Sequence, residues 1–223
     1  MLDCVEIETA TNPSASVIWL HGLGADAHDF EPIVPQLVAP DWPGLRFVFP
    51  NAPVRAVTIN GGARMRAWYD IATADIAARQ DEAGVRASIA LIDELIAREI
   101  ERGIASANVL LAGFSQGGAI ALAAGLRHAA RLGGVIALST YLPLHQTTAI
   151  ERAEANAELP IFMGHGSHDP VVPEPLGEMS RDLLRGLGHC VDWHSYPMAH
   201  QVCAEEVADL RAWIGKCLAS ITQ

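Results

Sequence analysis

Short apolar runs alternate along this chain with longer stretches in which apolar residues return every three or four positions. The strand-like runs lie near 17–20, 46–49, 108–112, 134–139, 160–163 and 191–196. Helical spacing is clearest over 81–102, where Ile89, Ile92, Leu95, Ile96, Glu99 and Ile100 share one stripe, and further helices are predicted over 30–39, 116–128, 173–187 and 201–219. Such alternation, with several strands apolar throughout, calls for an α/β fold: a mostly parallel sheet covered by helices on both faces. No repeat, low-complexity tract or linker interrupts 1–223, so a single domain is expected. Only 53–73, with Gly61-Gly62 and little periodicity, breaks the rhythm, and long ordered loops in compact domains tend to be functional.

Composition narrows the function classes. At 223 residues, 50% of them hydrophobic, the chain is large enough for one core. A domain of this size buries roughly 70% of the surface its unfolded chain exposes. A net charge of −11, from 26 acidic against 15 basic residues, argues against nucleic acid or an anionic membrane as partner. Cys4, Cys190, Cys203 and Cys217 show neither C-x-x-C nor metal-ligand spacing, and they read as free thiols in a reducing compartment. The first eight residues are acidic and alternating, where a signal peptide would be basic and then apolar. No run approaches the roughly 20 apolar residues of a membrane span, so stable membrane insertion is not expected. The cytoplasm is the expected compartment, and a homodimer stays open.

The chemistry centres on Gly113-Phe114-Ser115-Gln116-Gly117-Gly118. An apolar run, Val109-Leu110-Leu111-Ala112, precedes it and a small-residue helical pattern follows. This context makes it a nucleophile elbow, a sharp strand-to-helix turn that holds a serine hydroxyl where a base can reach it. Glycines two before and two after the serine relieve the crowding. The helix that starts there aims the Gln116 amide at the place where a carbonyl oxygen becomes negative during attack.

An elbow of this kind requires an acid and then a histidine downstream, at the ends of later strands. Asp169 lies in Gly164-His165-Gly166-Ser167-His168-Asp169-Pro170-Val171-Val172-Pro173, after the 160–163 strand, and His200 lies just past the 191–196 strand. Alone, Asp169-Pro170 would read as a turn former; its place after a strand makes it the residue that orients His200. His194 is a rival base, but it sits within a strand rather than in the loop beyond it, where open α/β sheets place their chemistry. His165 and His168 do not complete a metal shell, because no third ligand accompanies them. The second oxyanion donor is expected in the loop after the first strand. There, glycines flank Leu23 in His21-Gly22-Leu23-Gly24-Ala25-Asp26. That loop has no G-K-S/T ending and no G-x-G-x-x-G, which sets nucleotide binding aside.

Together with Trp68-Tyr69-Asp70 and Met198-Ala199-His200, these motifs resemble, in order and over nearly the whole chain, the phospholipase/carboxylesterase family. That family includes the acyl-protein thioesterases and small bacterial carboxylesterases; where it often has Gly before the Met near the catalytic His, this chain has Pro197. The resemblance implies an α/β-hydrolase with Ser115, Asp169 and His200 as triad, and Leu23 and Gln116 as oxyanion donors. It implies no cofactor and no metal. The activity it implies is hydrolysis of carboxylic esters or thioesters; the expected reaction is hydrolysis of short-to-medium acyl esters through an acyl-enzyme, the length following from an uncapped cleft, with acyl-protein thioesterase or lysophospholipase activity as the alternative. A non-catalytic binding protein on the same fold would be expected to lack a triad member, and none is missing. Met65, Trp68 and Tyr69, then Leu142, and Val171 are the expected substrate walls, although Trp68 serves equally well as packing for its loop. Only about 20 residues separate the strands at 134–139 and 160, too few for a helical cap domain, so an open cleft is expected.

Overall fold

A computed structural model of the chain describes residues 2–73 and 80–219. In chain order the elements are β1 (Cys4–Glu8), β2 (Ala15–Leu20), α1 (Val34–Leu37), β3 (Leu45–Pro50), β4 (Val54–Val57), β5 (Ala63–Arg66), α2 (Glu82–Glu101), β6 (Val109–Phe114), α3 (Gln116–Arg127), β7 (Gly134–Leu138), α4 (His145–Glu151), β8 (Ile161–Gly166), α5 (Glu174–Gly186), β9 (Val191–Tyr196) and α6 (Ala204–Ala219). Seven strands form one sheet in the order β1-β3-β2-β6-β7-β8-β9; β1 runs antiparallel to β3, and the other pairings are parallel.

The strands that read as continuous apolar runs are buried on both faces. Odd positions such as Val135, Ala137, Ile161 and Met163 pack with α2 and α3, while even positions such as Leu110, Ala112, Ile136 and Phe162 pack with α1 and α6. α2 matches its prediction within a residue at each end because Asp81 caps it, accepting from the Gly84 amide at 2.9 Å. Its last turn departs from the apolar stripe. Ile100 is exposed, while Glu99 is fully buried beside Arg46 and Arg102, each at 2.9 Å. The helix expected over 30–39 shrinks to a 3-10 turn and the four residues of α1, since Pro32 and Pro35 can occupy only first-turn positions and Pro40 disfavours helix at Ala39.

Three features were not anticipated. β1 pairs on the sheet edge, and β4 and β5 make a hairpin out of the 53–73 excursion. The third, α4, has only seven residues. It is the one α-helix between β7 and β8, across residues 139–160. The ends of β2, β6, β8 and β9 and the loops beyond them therefore face open space at one edge of the sheet, where every motif singled out above converges.

Candidate active site

β6 runs straight into α3 through Ser115, whose backbone (φ 54°, ψ −119°) lies in a region that L residues rarely adopt. The strain is held on three sides. The Ser115 amide donates to Leu138 O at 2.8 Å, and its carbonyl accepts from the Ala119 amide at 3.1 Å and from the Thr140 hydroxyl at 2.7 Å. A side chain on Gly113 would run into the Gly117 backbone, and one on Gly117 into the carbonyl of Leu20. Both glycines are thus set by close packing of strand, elbow and helix.

The loops after β8 and β9 are tied to each other. The Ser167 amide donates to Tyr196 O at 2.8 Å and the His168 amide to Met198 O at 3.1 Å. This fixes Asp169 against His200. Asp169 Oδ1 accepts from the amides of Val171 (2.8 Å) and Val172 (2.9 Å), and Oδ2 lies 2.6 Å from His200 Nδ1. Asp169 thus binds the turn with one oxygen and contacts His200 with the other. A carboxylate on Nδ1 selects the tautomer that leaves Nε2 with the lone pair. The His200 ring packs 4.7 Å from that of Phe114, the residue before Ser115.

Of the other histidines named from sequence as candidates, His165 lies behind the site, with Nε2 3.8 Å from Asp169 Oδ2, and the rest lie away from it. His165 is buried, bonded to Val172 O at 2.8 Å and stacked on Trp193, whereas His168 is exposed, so the two side chains do not share a site. His194 stacks on Phe162 and bonds to Asp192 at 3.0 Å, away from the cleft. Among the described residues, no three His, Cys, Asp or Glu side chains are grouped so as to hold a metal ion.

The loop after β2 is braced by a chain of hydrogen bonds. The Ala52 amide donates to His21 Nε2 at 3.1 Å, so Nδ1 carries the proton and donates to Gly22 O at 2.7 Å. Burial pushes the His21 pKa down, which keeps the ring neutral, as that tautomer requires. The Trp68 indole N–H donates to His21 O at 2.9 Å, and the Ser88 hydroxyl donates to Trp68 O. The Gln116 side chain turns away from the cleft: its Oε1 accepts from the Trp68 amide and its Nε2 donates to Tyr69 O, each at 2.8 Å. The Gln116 amide itself belongs to the first turn of α3, whose N–H groups have no intrahelical carbonyl to bond.

Ser115, His200, Leu23 and Gln116 line one cleft of about 260 Å³, open to solvent. Its walls correct the sequence reading. Trp68 is completely buried under the β2 loop and does not line the cleft; packing, the competing reading, is its role. Met65 is directed toward Gly24 and accepts from the Asn60 side-chain amide at 3.3 Å, outside the cleft. Leu142 lines a different cavity, with Leu176 and Leu183. Val171 does line the cleft, as a half-exposed rim. Of the expected walls Tyr69 and Val171 line the cleft and Met65, Trp68 and Leu142 do not; Tyr141, beside Leu142, completes the wall with Ile71 and Val172. Asp29 lies at the cleft as well, its pKa pushed up by burial.

Comparison with known proteins extends this picture. A family profile described as phospholipase/carboxylesterase matches residues 2–218. Acyl-protein thioesterase 1 of Neurospora crassa is 41% identical over 208 residues, covering 87% of this chain and 83% of the relative. The protein of the same name from Gibberella zeae is 36% identical over 223 residues, covering 94% and 93%. Among solved structures, Arabidopsis thaliana SOBER1 superposes with a TM-score of 0.87 at 30% identity, covering 92% of this chain and 99% of that one. Zea mays acyl-protein thioesterase 2 gives 0.85 at 27% identity, covering 98% and 100%. The fold is that of an α/β-hydrolase.

Proposed function

The chain belongs to the phospholipase/carboxylesterase family and hydrolyses ester or thioester bonds, and from that premise we propose that Ser115, His200 and Asp169 are its catalytic triad and acyl thioesters its preferred substrates. The observation that carries the proposal is the 2.6 Å contact of Asp169 with His200 Nδ1, at the cleft that also holds the strained Ser115. His200 Nε2 takes the Ser115 proton as Oγ attacks the acyl carbonyl; Asp169 stays ionised and steadies the imidazolium. The amides of Leu23 and Gln116 receive the oxyanion. His200 then returns the proton to the departing thiolate or alkoxide, and water hydrolyses the acyl-enzyme by the same steps in reverse order of roles.

Two features support the thioester over the oxygen ester. The fungal relatives named acyl-protein thioesterase 1 match this chain over most of both lengths. The cleft is also open to solvent, which leaves room for a large leaving group beside a small acyl group. Oxygen esters pass through the same tetrahedral intermediate and are the second reading. Among the described residues no helix is long and apolar enough to cross a membrane. We place the protein in the cytoplasm on its cysteines, of which Cys4, Cys190 and Cys203 are free thiols. The test is turnover of matched acyl thioesters and oxygen esters by the purified protein and by Ser115→Ala. Thioester hydrolysis with the higher kcat/KM, lost in Ser115→Ala, is expected; hydrolysis that survives in Ser115→Ala contradicts the assignment.

A further inference from the structure

Two tyrosines stand where the cleft ends on its apolar side. Tyr69 and Tyr141 are both buried, their hydroxyls are 2.8 Å apart, and both line the cleft that contains Ser115. Tyr141 also lines a second, smaller hollow of about 70 Å³, formed largely by Leu142, Leu176, Met179 and Leu183 between the loop after β7 and α5. One side chain thus separates two apolar spaces. The lining of the cleft is apolar at Ile71, Val172 and the rings of the tyrosines and carries one carboxylate, that of Asp29. Burying methylenes against a carboxylate gains little, so an acyl chain takes the apolar lining.

We propose that the Tyr69–Tyr141 pair is a partition that ends the acyl site and sets the acyl length this hydrolase accepts, an inference that rests on the ester and thioester hydrolysis proposed above. The partition is made of side chains on independently fixed backbone. Tyr69 O is held by Gln116 Nε2 at 2.8 Å. The Tyr141 loop is held by Thr140 on Ser115 O at 2.7 Å, by Ser180 on the Leu142 amide at 2.8 Å and by Gln80 on the Leu144 amide at 2.7 Å. None of these bonds involves a tyrosine hydroxyl. Burial holds both phenols neutral, pushing Tyr141 up to about 12 and Tyr69 well above its ordinary value, so the pair stays closed across the pH range of an assay. Removing the Tyr141 ring joins the two spaces while leaving the elbow and the loops in place.

The experiment is a chain-length series of p-nitrophenyl esters below their micelle concentrations, from acetate upward, on wild type, Tyr141→Leu and Tyr141→Ala. For wild type, kcat/KM is expected to climb with length and then break. In both variants the break moves to longer chains, with a gain of about fourfold for each methylene buried beyond the wild-type limit. Adding Leu176→Trp to Tyr141→Ala fills the second cavity and returns the break to the wild-type position. Acetate turnover reports that the site is intact, and if Tyr141→Ala loses it the milder Tyr141→Leu decides. An unchanged break in a variant that still hydrolyses acetate overturns the partition alone, as does a shifted break that Leu176→Trp leaves in place. No ester or thioester turnover by wild type overturns the hydrolase reading instead.

Discussion

Glu206 gives a stability prediction that can be worked through in numbers. It sits in the first turn of α6, fully buried, with its carboxyl pressed against Gly164 of β8, the strand that leads to Asp169. Among the described residues no cation or side-chain donor reaches either carboxylate oxygen, and Asp209, which accepts from the Tyr196 hydroxyl at 2.9 Å, lies within reach as a like charge. Burial first, and Asp209 second, push the Glu206 pKa from an ordinary 4.5 up to about 8. Between those values the native state holds one more proton than the unfolded chain, so stability falls as pH rises, by about 1.4 kcal/mol per pH unit. Between about pH 5.5 and about pH 7.5 the loss from this group is about 2.7 kcal/mol, worth roughly 5–10 °C in the thermal midpoint for a chain of this size. Glu206→Gln carries no titrating proton and keeps the shape, so it escapes this loss. Any cost of burying the amide is the same at every pH and drops out of the comparison. Midpoints measured by calorimetry for both proteins across this range are expected to diverge in favour of Glu206→Gln as pH rises; a difference that stays constant with pH refutes the neutral, buried carboxyl.

Two further outcomes follow from the site. Asp169→Asn keeps the shape but loses the charge that fixes the His200 tautomer, and kcat is expected to fall by about 10⁴-fold; a loss of under about tenfold contradicts the role given to Asp169. Trp68→Phe keeps a buried ring but leaves the His21 carbonyl without its donor, which is expected to cost about 1–3 kcal/mol in chemical denaturation and to lower kcat on acetate esters more than it raises KM. A change confined to KM would place Trp68 in the substrate wall after all.

The site was legible in the sequence to the extent that it depends on strand ends. Ser115, Asp169, His200 and Leu23 all lie just past apolar runs, and each motif carries its own turn chemistry, so chain order alone brought them to one edge of the sheet. The walls were legible only in part, at Tyr69 and Val171 but not at Trp68, Met65 or Leu142, because neighbouring residues face opposite ways. Trp68 and Tyr69 differ by one position, and only the hydrogen bonds from Gln116 and to His21 O decide which ring turns inward. β1 was hidden because its alternation, Val5 and Ile7 against Glu6 and Glu8, gains stability only by pairing with β3 and by the reach of Glu6 and Glu8 to arginines on β3 and α2. α4 begins after Leu144 in a left-handed conformation, φ 52°, a start that no capping residue announces. Glu99 read as one position of the α2 stripe; it is the buried carboxylate that Arg46, Arg98 and Arg102 surround.

The central claim is that Ser115 alone is the nucleophile, and covalent capture tests it most directly. After incubation with a fluorophosphonate, digestion and mass spectrometry of the intact and peptide products are expected to show one adduct, on the peptide that carries Ser115. Its formation should track the loss of thioester hydrolysis one to one, and Ser115→Ala should carry none. An adduct on another serine, or full inactivation without modification of Ser115, contradicts the account.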